Sequence, residues 1–181
     1  MVMPIGPLMI EHRLIERMIA LMRKELERLE KENTSNLDFI DTAVDFIRKY
    51  ADRCHHGKEE DILFRELKKK DLESEHKRTM EELIEEHKRA REITVKLVAA
   101  KVELVKGSQQ DKKFIIEYMK QLVEFYPKHI EKEDKRFFRP IMKYFSQKEQ
   151  DALLQEEYEF DKNFIHVLYR DIITKLEKSF L

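Results

Sequence analysis

His55-His56-Gly57-Lys58-Glu59-Glu60-Asp61-Ile62-Leu63-Phe64-Arg65 has a near copy further along the chain, His129-Ile130-Glu131-Lys132-Glu133-Asp134-Lys135-Arg136-Phe137-Phe138-Arg139. Both read His-x-x-Lys-Glu-acid-x-x-apolar-Phe-Arg. A histidine and a glutamate four residues apart lie on one face of a helix, one turn from each other. Ahead of the first copy, Val44, Ile47 and Ala51 recur at the helical period; ahead of the second, Ile115, Met119, Leu122 and Tyr126 do the same. Each His–Glu pair therefore continues a stripe bound for a core.

The same period runs through almost the whole chain, and its interruptions are few. Asn33-Thr34-Ser35-Asn36 is a loop ending in a good N-cap. Asp71 to Ser74 breaks the pattern again, Gly107-Ser108 is a helix stop with a turn, and Ser146-Gln147-Lys148-Glu149 matches a capping box. Five helices follow, near residues 7–31, 37–70, 74–106, 110–143 and 147–179. Short connections between long helices favour antiparallel neighbours. The expected fold is all-α: one domain over residues 1–181, an up-down-up-down four-helix bundle at 7–143 with an additional C-terminal helix at 147–179.

Charged residues form 40% of the chain, yet the formal net charge is −1. Such a surface has no global field to attract nucleic acid or anionic lipid. The start, Met1 to Arg13, has no basic stretch before its short apolar run and makes a poor signal peptide. No apolar run approaches the ~20 residues that span a bilayer. A lone cysteine, Cys54, cannot form an internal disulfide and suits a reducing compartment, so a cytoplasmic location is expected. Neither a nucleic-acid nor a membrane partner is expected, and a homo-oligomer is compatible with the sequence.

In an antiparallel pair, residues equidistant from the turn share one height. The midpoint of His12 and His55 falls in the Asn33–Asn36 loop, that of His55 and His87 at Asp71, and that of His87 and His129 at Ser108. Three turns thus place one histidine per helix in a single layer, each on its apolar stripe. Glu59 and Glu133 share a second layer one turn on. A buried carboxylate normally pairs with a cation or coordinates metal, and no Lys or Arg occupies these stripes near that level. Imidazoles with bridging carboxylates suit a pair of metal ions. Singly, each residue is more often structural; four levelled histidines and two levelled glutamates make the metal reading the stronger one. Without metal, Glu59 and Glu133 are like charges in a core, and at least one is expected to take up a proton.

Glu11-His12, His55-x-x-x-Glu59-Glu60 running into Leu63-Phe64, Glu86-His87, and His129-x-x-x-Glu133 together resemble the hemerythrin family, in its HHE cation-binding branch, over roughly residues 8–142. The resemblance implies a non-haem centre of two iron ions, with Glu59 and Glu133 bridging and His12, His55, His87 and His129 as terminal ligands. It also implies an open position for a small ligand such as O2 or NO. The chain departs from the oxygen carriers in two ways. They place a second histidine one turn along the third helix, where this chain has Leu83 and Arg91, and they carry a carboxylate five residues after the fourth-helix histidine, where Glu133 is four on. These departures weigh against reversible oxygen carriage. His56 is the candidate for the missing fifth imidazole, and a rival register, His56/Glu60, competes with His55/Glu59 on the second helix.

His76 and His166 read as ordinary, Cys54 as a buried filler, and Pro127 as a deleted helical hydrogen bond close to His129. Glu73-x-x-His76 matches a ferritin-like pattern that has no second copy in the fourth helix. Three function classes stay open: a di-iron protein that binds or senses O2 or NO, a di-iron enzyme that repairs iron centres or removes peroxide under nitrosative or oxidative stress, and a helical interaction protein holding zinc or another divalent metal. Whether the protein is an enzyme is left open.

Overall fold

Asn36 opens the second helix by accepting a hydrogen bond from the Phe39 N–H at 3.0 Å, and Ser146 opens the fifth in a full capping box with Glu149. Gly107 ends the third helix at φ 106°, a left-handed conformation that favours glycine. The third helix begins at Ser74, and Glu73 before it makes no side-chain cap bond. The computed structural model describes residues 2–32, 36–162 and 165–180; Asn33, Thr34 and Ser35 of the expected loop lie outside the described residues.

Six helices and no strand are present among the described residues. They are α1 (Ile5–Glu32), α2 (37–67), α3 (Ser74–Val105), α4 (112–144), α5 (Gln147–Phe160) and α6 (Ile165–Ser179). Helices α1 to α4 form the bundle, with α1 and α3 packed on α4 and α2 against α3. The long C-terminal helix expected over 147–179 is two helices, turning at Asp161 and Lys162. Asp161 favours a turn over a helix interior, and the break lets α5 lie on α2 while α6 lies on α1 and α2.

Two helices depart locally from α geometry. Helix α2 widens into π turns at Ile47–His56 and Glu59–Phe64, and α4 does so at Glu133–Phe137. Such turns concentrate at functional sites; here the two halves of the sequence echo carry matching ones. Helix α4 runs through Pro127. Proline has no N–H to offer the Val123 carbonyl one turn back, and Arg23 donates to that carbonyl instead, at 3.4 Å.

The buried apolar side chains form two clusters. One, around Met18, Phe39, Phe46, Leu97, Met119 and Tyr126, fills the bundle toward the α1–α2 turn. The other, around Leu8, Leu63, Phe64, Leu83, Phe137 and Phe138, fills the opposite end and extends to Leu153 of α5. Between them lies a buried polar layer.

Candidate metal centre

That layer contains all seven residues singled out in the sequence. His12, His87, Glu59 and Glu133 have no exposure, His55 and His56 have 1%, and His129 has 2%. They fall into two lobes. In one, donor atoms of His12, His55, Glu59 and Glu133 all lie within 4.8 Å of one another; in the other, those of His56, His87 and His129 do. Each glutamate spans both lobes. Glu59 places Oε1 3.3 Å from His55 Nε2 and Oε2 3.3 Å from His87 Nε2. Glu133 places Oε2 3.1 Å from His12 Nε2, and Oε1 3.3 Å from His129 Nε2 and 3.7 Å from His87 Nε2.

These contacts are close but are not hydrogen bonds in geometry: all five Nε2 atoms and all four carboxylate oxygens are buried without a hydrogen-bond partner. Nine buried donor and acceptor atoms facing one another without a hydrogen bond among them mark a site where a cation can be received.

The other side of every ring is satisfied. Each Nδ1–H donates to a carboxylate: His12 to Asp134 at 2.7 Å, and His55 to Glu11, His87 to Glu60 and His129 to Glu86 at 2.8 Å, with His56 to Asp52 longer at 3.4 Å. A proton fixed on Nδ1 leaves the Nε2 lone pair for a metal, the usual outer arrangement at metal-bound histidines. Every one of those carboxylates is in turn gripped by a cation: Asp134 by Arg13, Asp52 and Glu60 by Arg91, Glu86 by Lys132, and Glu11 by Lys58.

The register on α2 has a mixed answer. His55 and His56 both point inward, His56 stacking on His87 with ring centroids 3.8 Å apart, but only Glu59 joins them; Glu60 turns outward to His87 Nδ1 and Arg91. A wide π turn brings adjacent residues closer in angle than an α turn does, so neighbours can share a face. Arg91 and Leu83, where the oxygen carriers have a second histidine nearby, take other work: Arg91 orients two imidazoles through their carboxylates, and Leu83 fills the apolar cluster.

Protonation of the metal-free layer differs from the sequence expectation, which gave a proton to Glu59 or Glu133. Burial pushes Glu59 up, but the charge of His55 and contacts with His55 and His87 hold it well below the usual carboxylate range. Burial and the Glu59 charge push Glu133 up too, yet His129, His12 and His87 bring it down to about 2. The imidazoles take the protons: burial opposes charge on His55, but Glu59 and Glu11 raise it to about 10, and carboxylate contacts raise His12 and His87 as well. Burial and the neighbouring His87 keep His56 neutral.

From sequence these carboxylates had no outer role and Glu60 was only a rival ligand, although Glu11 and Glu86 stood beside His12 and His87. They reach across to the next helix, serving His55 and His129. Lys58 was missed altogether, as a lysine with no exposure is rare. His166 is not ordinary, since it contacts Asp161 and Glu11; His76 donates to or accepts from the Tyr144 hydroxyl, away from the centre. Burial pushes the Cys54 thiol up to about 12, as suits a filler. A cavity of about 140 Å³ reaches from the exposed Val95 to His56, with Asp52, Arg91 and Tyr126 in its walls; the buried Tyr126 hydroxyl has no partner.

The model of the hemerythrin HHE cation-binding domain matches residues 3–141. The chain belongs to this family, and its His/Glu layer is compatible with the cation site the family name describes. No curated protein and no solved structure gives a match. Among the described residues, no helix is long and apolar enough to cross a membrane.

Proposed function

We propose that the layer holds two iron ions and presents them to a small ligand such as O2 or NO, as a binding or sensing protein. The observation that carries this is the set of buried, unpartnered Nε2 and carboxylate oxygen atoms, divided between two lobes that Glu59 and Glu133 both span. The donor set fits: imidazole nitrogens suit iron, and a carboxylate with one oxygen in each lobe bridges two cations. His12 and His55 would hold one ion, His56, His87 and His129 the other, with Glu59 and Glu133 bridging. When bound, the pair would supply redox chemistry and a place for a diatomic ligand to bind.

The chain's own residues set the conditions. Asp134 and Glu11 fix the rings of His12 and His55, while Asp52, Glu60 and Glu86 fix the other three. Phe138, stacked 5.6 Å from His12, and the apolar cluster around Phe64 and Phe137 exclude water from that end. The cavity beside His56 and Tyr126 has room for water or a diatomic molecule and not for a large organic substrate.

Protein prepared anaerobically should bind close to two irons per chain, and oxidation should give near-ultraviolet ligand-to-metal bands that change on adding NO. Saturation at one metal per chain, or zinc held to the exclusion of iron, would remove the dinuclear iron reading. Turnover of NO or peroxide by the reduced protein would move it to the enzyme class.

A further inference from the structure

The family match ends at residue 141, so α5 and α6 lie beyond it. The cations that grip Asp134, Asp52, Glu60 and Glu86 reach solvent, with side chains 55% exposed at Arg13, 37% at Arg91 and 25% at Lys132. Glu11 differs, because its cation, Lys58, is wholly buried. The Lys58 ammonium also donates to Asp161 at the end of α5, at 2.9 Å to Oδ1 and 2.7 Å to Oδ2. His166 on α6 puts Nε2 3.2 Å from Asp161 Oδ2 and 3.5 Å from Glu11 Oε1, and its Nδ1 is 3.0 Å from the Tyr50 hydroxyl. A continuous polar chain thus runs from the C-terminal helices through Lys58 and Glu11 to Nδ1 of His55.

We propose that the C-terminal helices are part of the metal centre, with Asp161 and His166 acting through Lys58 and Glu11 as positioning residues for His55. This rests on the reading of His55 as a metal ligand. A lysine ammonium has donors only, and burying it needs acceptors in fixed places. Glu11 offers one oxygen to Lys58 and the other to His55, so the tilt of the imidazole follows the place of the ammonium, which Asp161 sets. Asp161 itself stands in the wall of a cavity of about 610 Å³, together with Glu11, Tyr50 and His166. The lobe affected is the one with two imidazoles, His12 and His55, the poorer in protein donors. Among the described residues, the hydrogen bonds of His56, His87 and His129 make no such link to α5 or α6.

The test uses the full chain carrying Asp161→Asn, Asp161→Glu or His166→Gln, loaded with ferrous iron or with cobalt(II) as a spectroscopic probe. Chelator competition should show one of the two ions held roughly 10–100-fold more weakly in Asp161→Asn, the usual effect of removing an outer partner, with the other ion unchanged. Asp161→Glu should recover part of the loss. In metal-free protein, the Nδ1–H resonance of His55 should broaden or shift in Asp161→Asn, with those of His87 and His129 in place. His166→Gln, at a partly exposed site, should show the same pattern more weakly, and carries the test if Asp161→Asn does not fold. Equal weakening of both ions, or a lowered melting temperature with affinities and the His55 resonance as in the unaltered chain, would overturn the proposal and leave the C-terminal helices as a brace. Should the unaltered chain bind no metal pair, the metal-centre reading fails, and the His55 resonance still decides whether Asp161 positions that ring.

Discussion

Stripped of metal, the protein is expected to lose stability as the pH rises from about 6.5 to about 8.5. The cause is that the folded layer holds protons on imidazoles that the unfolded chain releases near pH 6.5. His55, raised to about 10, keeps one proton across the whole interval. Each such proton lowers the unfolding free energy by ~1.4 kcal/mol per pH unit, so His55 alone removes roughly 3 kcal/mol over two units. His12 and His87 shift the same way and steepen the fall. Glu157, buried without partners and pushed up by burial to about 8, adds to it because a raised carboxylic acid loses stability as pH climbs toward its folded pKa. His56, held neutral, adds nothing above pH 6.5. For a chain of this size, 3 kcal/mol corresponds to about 6–12 °C in melting temperature. Metal should reverse the trend, since its ligands must be deprotonated and it binds only the folded bundle. Thermal melts followed by circular dichroism, with and without chelator, give the answer, and Glu157→Gln serves to subtract that residue. A metal-free melting temperature that stayed level or rose across the interval would show that the imidazoles carry no extra protons, and the ionic picture of the empty layer would have to go.

Glu59→Ala should reduce bound metal from two ions per chain to at most one, because Glu59 alone on α2 spans both lobes. Glu60→Ala should keep two ions but hold the one at His87 roughly 10–100-fold more weakly, as His87 loses its Nδ1 partner; the reverse pattern in metal analysis would show the wrong face was chosen. Cys54 should resist alkylation at about pH 8 in the folded state, being buried with its thiol raised to about 12; rapid labelling without unfolding would contradict this placement. Leu83→Ala, in the apolar cluster below the layer, should cost about 2–5 kcal/mol in denaturant titration, and a loss below 1 kcal/mol would mean the bundle end is loosely packed.

The bundle and its polar layer were legible because they depend on chain length between turns, and Asn36, the break from Asp71 to Ser74 and Gly107 mark turns through local chemistry alone. Once those were fixed, the heights of His12, His55, His87 and His129 followed from helical rise. What could not be read is angular. An α-helical wheel laid over α2 makes His55/Glu59 and His56/Glu60 rivals, whereas the π turns bring in both histidines and leave out Glu60. Cross-helix partners such as Glu11 with His55 were hidden for the same reason, since adjacency in sequence points to His12. The break at Asp161 was masked by a helical period on either side of it. The protonation error had another source: counting two buried carboxylates and no cations overlooked that imidazoles are bases and can supply the positive charge themselves.

The wide turns in α2 and α4 also bear on how the chain responds to changes in length. A π turn closes its hydrogen bond one residue later than an α turn, so each carries a residue that a plain helix would not need. Removing one exposed residue from the first of them, Lys49 or Arg53, is expected to let the segment tighten to α geometry and keep the helix. The side chains within the segment would then turn relative to α1 and α3, and His55 and His56 could no longer both face inward. Residue count within Ile47–His56 is thus a dial on which side chains meet the centre, and a deletion harmless to folding there would unmake the site.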